Sequence, residues 1–262
     1  MKTILHSRIY KSTAEDNPPL LILHGLLGVG DNWASMARRY AADGFTTHTI
    51  DLPSHGRSPH IKEINIDSFA RCVEDYIEYH GMDRAYVIGH SLGGKVAMRL
   101  ACDSPYIKKL IVADIAPVKY ELSSYHRHIF AALNQCCSSF IPSREEASER
   151  LSGAGLEDKD IAFLMKSLYH TEDGFYEFRF DFKALESGIN SLLAAMDTDK
   201  RYEKDTLFIK GGLSTHIIDS HLNEIKTHFP TYEIHTIDNA GHWVHVDAPC
   251  EFYDITCNWL KR

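Results

Sequence analysis

Gly89-His90-Ser91-Leu92-Gly93, followed by Gly94 and Lys95, is the stretch that decides how this chain is read. It comes directly after the apolar run Ala85-Tyr86-Val87-Ile88 and directly before a helical pattern over residues 95–101. A Gly-x-Ser-x-Gly at such a strand-to-helix turn is a nucleophile elbow. The turn is so tight that the positions flanking the serine need minimal side chains, which Gly89 and Gly93 supply, and Gly94 lets the helix approach the sheet. The serine hydroxyl is thereby lifted above the carboxyl end of the sheet, at a helix start that favours negative charge. The bare five-residue pattern is common by chance. The strand, the helix and the third glycine make this occurrence specific.

Working outward from the elbow, short apolar runs alternate with amphipathic stretches. Residues 20–23, 46–50, 85–88, 110–113, 206–209 and 232–237 read as strands. Phe69, Val73, Tyr76 and Ile77 share one helical face, with Asp67 or Ser68 as the expected N-cap and Gly81 as the stop. Buried strands separated by helices predict an α/β protein with a mostly parallel central sheet flanked by helices. The alternation breaks after Pro117 and becomes mainly helical. Residues 1–117 and 200–262 are therefore expected to form one core, and residues 118–199 an inserted cap, or lid. Inside that insertion Tyr176, Phe178, Phe180 and Phe182 alternate with Glu177, Arg179 and Asp181, which is strand periodicity with an aromatic face. That face either packs the insertion onto the core or walls a substrate pocket. Phe178, Phe180 and Trp243 are the expected pocket residues.

Composition excludes several classes. Hydrophobic residues make up 44% of the 262 and charged residues 24%, enough apolar material for a sizeable core. The 28 basic and 36 acidic residues leave a net charge of −8, which argues against nucleic-acid and anionic-membrane partners. No apolar run approaches the roughly 20 residues needed to span a bilayer. Residues 1–8 are broken by polar side chains and offer no signal-peptide core, so a cytoplasmic protein is expected. The six cysteines are scattered, and fit a reducing compartment better than a disulfide framework or a metal ribbon. Among sixteen histidines no His-Glu-x-x-His occurs, and His126 and His128 would face different ways on a helix. No metal or other cofactor is expected.

A serine hydroxyl is a poor nucleophile until a base takes its proton. In chains built on this elbow the histidine comes last, after the final strand. Gly241-His242-Trp243 occupies that place, five residues beyond Ile237, and His245 is the competitor. The histidine in turn needs a carboxylate to fix its tautomer. The usual loop, after the next-to-last strand, reads Lys210-Gly211-Gly212-Leu213-Ser214-Thr215 and has no acid; Asp219 comes several residues later. Asp114, at the end of the strand after the elbow, is the favoured acid, because its abrupt departure from an apolar run needs a reason. Ser214 is then an auxiliary hydrogen-bonding partner. Two amides are expected to hold the oxyanion: Leu92, next to the nucleophile, and Leu26 in His24-Gly25-Leu26-Leu27-Gly28. Residues 51–58 read as a structured loop supporting the site, and Lys95 as a helix-surface or loop-pairing residue.

Taken together these motifs resemble the α/β-hydrolase superfamily over almost the whole chain, and more closely the YbfF-type esterases. The resemblance is carried by HGLLG at 24–28 with Asp31-Asn32-Trp33, DLPSHGRS at 51–58, GHSLGGK at 89–95, ADIAPV at 113–118 and AGHWVHVDAP at 240–249. It implies a serine, a histidine and an aspartate from the strand after the elbow, with a serine where the ordinary acid would be: Ser91, His242, Asp114 and Ser214. It also implies hydrolysis of acyl esters, with a mechanism similar to that of thioesterases.

The expected activity is therefore a serine hydrolase acting on a small-molecule acyl ester or acyl-CoA thioester through an acyl-enzyme. Carbon–carbon bond hydrolysis or a menaquinone-pathway lyase on the same scaffold, and a non-catalytic ligand-binding relative, stand as alternatives. Haloalkane dehalogenase and epoxide hydrolase chemistry is disfavoured, since both place an aspartate where this chain has Ser91.

Overall fold

Nine strands form among the described residues, 4–13, 17–197 and 199–262 of a computed structural model. Residues 1–3 of the N-terminal stretch read above lie outside them. In chain order the strands are β1 (Ser7–Tyr10), β2 (Leu20–Leu23), β3 (Thr47–Ile50), β4 (Ala85–His90) and β5 (Ile107–Ala113). A small antiparallel ribbon, β6 (Leu168–His170) with β7 (Tyr176–Phe178), follows, and then β8 (Thr206–Gly211) and β9 (Tyr232–Ile237). Seven of them make one sheet in the order β1-β3-β2-β4-β5-β8-β9, with β1 antiparallel and every other pairing parallel. The mostly parallel sheet expected from the alternation is the one observed.

The helices α1 (Ala34–Ala42), α2 (Ile66–Tyr79) and α3 (Leu92–Asp103) connect the first strands. Between β5 and β8 lie α4 (Ser124–Cys136), α5 (Arg144–Gly153), α6 (Asp158–Leu164), α7 (Phe182–Ser187) and α8 (Ile189–Leu192). The chain ends with α9 (Leu222–His228), α10 (Val244–Asp247) and α11 (Pro249–Leu260). Among the described residues no helix is long and apolar enough to cross a membrane.

Period-two alternation sorts the strand side chains onto two faces. Leu21, Leu23, Val87, Leu110, Val112 and Phe208 pack with α2 and α3, while Leu20, Ile22, Ile88, Ile111 and Ile209 pack with α1 and α11. Phe69, Val73, Tyr76 and Ile77 are fully buried on α2, and each such side chain contributes about 1.5–3 kcal/mol of transfer free energy. The segment between β5 and β8 belongs to the first of these clusters, through Ile129, Phe130, Leu133, Leu185 and Leu192. It is tied down at its root by Lys95 Nζ donating to the Val118 carbonyl (2.7 Å) and by the Tyr120 amide donating to the Leu193 carbonyl (2.9 Å).

Two local expectations are corrected. The N-cap of α2 is Asn65, whose side chain accepts from the Ser68 amide at 2.8 Å, because the helix starts at Ile66 and Asn65 has the extended backbone a cap requires. The aromatic alternation over residues 176–182 does not make one strand. β7 stops at Phe178, and Asp181 caps α7 by accepting from the Ala184 amide at 3.1 Å. Local capping by an aspartate outweighs a side-chain alternation that a two-strand ribbon cannot extend.

Candidate active site

Four non-glycine residues have positive φ among the described residues: Leu27 (60°), Ser54 (60°), Ser91 (53°) and Asp114 (51°). One follows each of the four successive parallel strands β2, β3, β4 and β5. Such backbone costs about 1–3 kcal/mol per residue and persists only where the surroundings impose it. At Ser91 the imposition is visible. A Cβ at Gly93 would stand 2.3 Å from the Leu23 carbonyl oxygen, and one at Gly89 2.3 Å from that of Gly93. Ser91 and Asp114 are also placed side by side. β4 and β5 pair with His90 opposite Ala113, so both residues are the first beyond the ends of adjacent strands. The Ser91 amide donates to Ala113 (3.1 Å) and the Asp114 amide to Ile209 (2.8 Å).

Asp114 is fully buried, and its carboxylate gathers a set of donors. His242 Nδ1 lies 2.8 Å from Oδ2, the Gly211 amide donates to Oδ1 at 3.0 Å, and the Ser214 hydroxyl donates to Oδ2. A second imidazole, His216, is stacked on His242 with ring centres 3.7 Å apart, its Nδ1 3.2 Å from Ser214 Oγ and 3.6 Å from Asp114 Oδ2. Burial raises the Asp114 carboxyl above its usual range, and the bonds from Ser214 and Gly211 oppose that rise. Burial pushes His242 down to about 3, so the ring is neutral, with Nδ1–H toward Asp114 and Nε2 left as an acceptor. The His242 loop is pinned by His90 Nε2, which donates to the His242 carbonyl at 2.9 Å. The Ser91 hydroxyl has no hydrogen-bond partner among the described residues. In substrate-free enzymes such contacts often tighten only when substrate arrives.

The alternatives weighed from sequence are placed elsewhere. His245 stacks on Trp33 at 3.9 Å instead of facing the carboxylate. Asp219 is exposed in a short 3-10 turn. Leu26 and Leu92 both line the cavity beside Ser91, together with Ile115, Tyr120 and Leu192. Leu92 is the first residue of α3, so its N–H belongs to the set a helix leaves without an internal acceptor. The neighbouring Leu27 amide is already taken, donating to His55 Nε2 at 3.1 Å, while Leu52 donates to His24 Nε2 at 3.0 Å. Both histidines must be unprotonated at Nε2 to accept, and burial lowers both, His55 to about 3. The loop over residues 51–58 thus supports the site as expected from its sequence.

Known proteins resemble this chain over most of its length. Residues 18–135 match a family described as the α/β hydrolase fold. The chain is 34% identical to the esterase YbfF of Escherichia coli, over 89% of each protein. It is 31% identical to the sn-1-specific diacylglycerol lipase ABHD11 of Mus musculus, over 93% of this chain and 81% of the lipase. The chain belongs to the α/β-hydrolase family. Among solved structures, a marine microorganism esterase superposes with a TM-score of 0.90 at 36% identity, over 98% of this chain and 99% of that one.

Against this α/β-hydrolase framework the residues that sequence reading placed loosely stand out. Phe178 and Phe180 stack on each other (5.2 Å, 15°) and face a separate cleft with Phe140 and Phe175, while Trp243 packs edge-on against Phe163 at 4.7 Å. None of the three lines the cavity at Ser91. Lys95 is buried, with its ammonium on the Val118 carbonyl, so it pairs with a loop and does not lie on the helix surface. His216 was missed altogether. It sits on the loop after β8, where a ring two residues past Ser214 is the signal the sequence offers.

Proposed function

We propose that this α/β-hydrolase is a serine esterase in which Ser91 is the nucleophile, His242 the general base, Asp114 its orienting acid and Ser214 an auxiliary donor to Asp114. The observation that carries the proposal is the buried Asp114–His242 pair at 2.8 Å beside the strained Ser91 at the ends of neighbouring strands. Relatives named as an esterase and a lipase support the same reaction class. In the forward half-reaction Ser91 Oγ attacks the acyl carbonyl as His242 Nε2 takes its proton. The tetrahedral oxyanion rests on the Leu26 and Leu92 amides, a contact worth about 3–4 kcal/mol per donor in such sites. His242 then passes the proton to the leaving alkoxide, and water repeats the cycle on the acyl-enzyme. Residues 118–199 act as a cap, since Tyr120, Ile189 and Leu192 close the cavity over Ser91.

A cleft at the seam between core and cap favours thioesters of an anionic carrier as a second substrate class. It is lined by Arg8, Arg57, Lys166 and Arg179, on a chain whose net charge is −8. Arg8 is paired with Asp31 at 3.1 Å, and Arg57, Lys166 and Arg179, the last over the Tyr169 ring, share the cleft with one further carboxylate, Asp51.

Hydrolysis of a p-nitrophenyl ester series tests the main reading. A burst of about one nitrophenolate per chain is expected, and its abolition in Ser91→Ala. Undiminished turnover in that variant would sink the assignment. Lys166→Glu is expected to raise KM for an acyl-CoA while leaving KM for the neutral ester unchanged.

A further inference from the structure

We infer that Asp114, His216 and His242, joined by the Ser214 hydroxyl, form a binding site for a divalent transition cation such as Zn²⁺, and that filling it switches the hydrolase off. The donor atoms of the three charged or imidazole residues all lie within 4.8 Å of one another. Zinc bonds of about 2.0–2.1 Å in a tetrahedral site place neighbouring donors about 3.3–3.4 Å apart. Asp114 Oδ2 stands 2.8 Å from one Nδ1 and 3.6 Å from the other, and Ser214 Oγ 3.2 Å from His216 Nδ1. Filling the site therefore opens the shorter Ser214–Asp114 contact and splays the two stacked rings so that both Nδ1 lone pairs aim at one ion. Two imidazoles and one carboxylate are a donor set suited to zinc.

The surroundings already supply the outer contacts that hold such ligands. The Gly211 amide fixes Asp114 Oδ1, and Tyr120 Oη donates to the His216 carbonyl at 2.5 Å. Entry is open because His216 lines the cavity beside Ser91. Nothing in the ester mechanism uses His216, whose ring contributes no proton to it.

Inhibition follows from the tautomer. In the metal-free site the Nδ1–H of His242 points to Asp114 and Nε2 accepts. A cation on Nδ1 takes the lone pair there, and the proton moves to Nε2 of the same ring. No proton is lost, but Nε2 can no longer accept from Ser91. The switch rests on the proposed roles of Ser91 and His242, whereas the binding does not.

Calorimetric titration of the intact chain with Zn²⁺ alone tests the site. One Zn²⁺ per chain is expected, with reversible loss of ester hydrolysis that EDTA restores. His216→Phe keeps a ring on His242 but removes a ligand, and its affinity is expected to fall by about tenfold or more. His216→Gln serves as a second variant in case the first does not fold, with the same expectation. Ser91→Ala has no turnover to lose and should bind Zn²⁺ as the parent does, so failure of the esterase reading stays distinguishable from failure of the site. Unchanged affinity in the folded His216 variants, or no stoichiometric binding by the parent, overturns the site. Stoichiometric binding without inhibition overturns the switch.

Discussion

At the scale of single residues, Asp114 carries most of what can be tested. It is fully buried, and its three donors come from 97 to 128 residues away along the chain. Asp114→Asn should leave the fold intact and lower kcat by about 10⁴, because the histidine loses the partner that sets its tautomer. Asp219→Asn should leave kcat within a factor of about two, as expected of an exposed turn residue outside the site. A larger loss at position 219 than at 114 would reverse the assignment of the acid. Ser214→Ala removes one charge-assisted hydrogen bond of about 1.5–3 kcal/mol, so a kcat loss of roughly 10- to 100-fold is expected. The pH profile is set by the same group of residues. Burial lowers His242, and the proposed base works only when neutral, so activity is expected to fall as pH drops through its lowered value. The acid limb of kcat/KM should lie below the about 6.5 of an ordinary histidine, measured where circular dichroism shows the fold intact. A limb at or above that value would contradict a buried neutral base.

At the scale of elements, the elbow and the strand ends do the positioning. Gly93→Ala would force a methyl group onto the Leu23 carbonyl oxygen, which is backbone and cannot step aside. A loss of about 2 kcal/mol or more in urea unfolding is expected, by the same mechanism as other overpacked sites. Wild-type stability in that variant would mean that β2 and α3 can separate. The strand–turn–helix unit from β4 to α3 was legible in the sequence, since its signals are local: an apolar run, two glycines and a helical period. The aromatic tract over residues 176–182 was misread for the converse reason. Alternation alone cannot show that no third strand lies beside β7, nor that Asp181 will cap a helix. His216 escaped for a similar reason, because its importance lies in a stacking partner at position 242.

At the scale of the whole molecule, buried neutral histidines tie stability to pH. Burial lowers His48 and His216 to about 4 and His55 to about 3, and lowers His24, His90 and His245 as well. In the unfolded chain each titrates near the usual value of about 6.5. Below that pH the unfolded state binds more protons, so the stability is fully present above pH about 6.5 and is lost as pH falls toward about 4. Each such histidine steepens the loss by about 1.4 kcal/mol per pH unit. Urea midpoints compared at pH about 7.5 and about 5 should show a marked fall, and equal midpoints would refute the buried neutral state. Two of these rings accept backbone hydrogen bonds at Nε2 in the loops after β2 and β3, so those loops should exchange their amides first on acidification.

The chain's own order of residues determined the α/β alternation, the elbow and hence Ser91, and the break in the alternation after Pro117. Each rests on contacts between near neighbours, which periodicity and turn chemistry report directly. Only the tertiary structure decided which carboxylate and which imidazole meet, that a second imidazole joins them, and that the aromatic tract faces away from Ser91. Those outcomes depend on parallel pairing between strands far apart in the chain. The register of β5 against β4 and β8 sets Asp114 beside Ser91 and beneath the loops bearing Ser214, His216 and His242. No local pattern encodes that register, because it is set by the packing of both faces of the sheet at once.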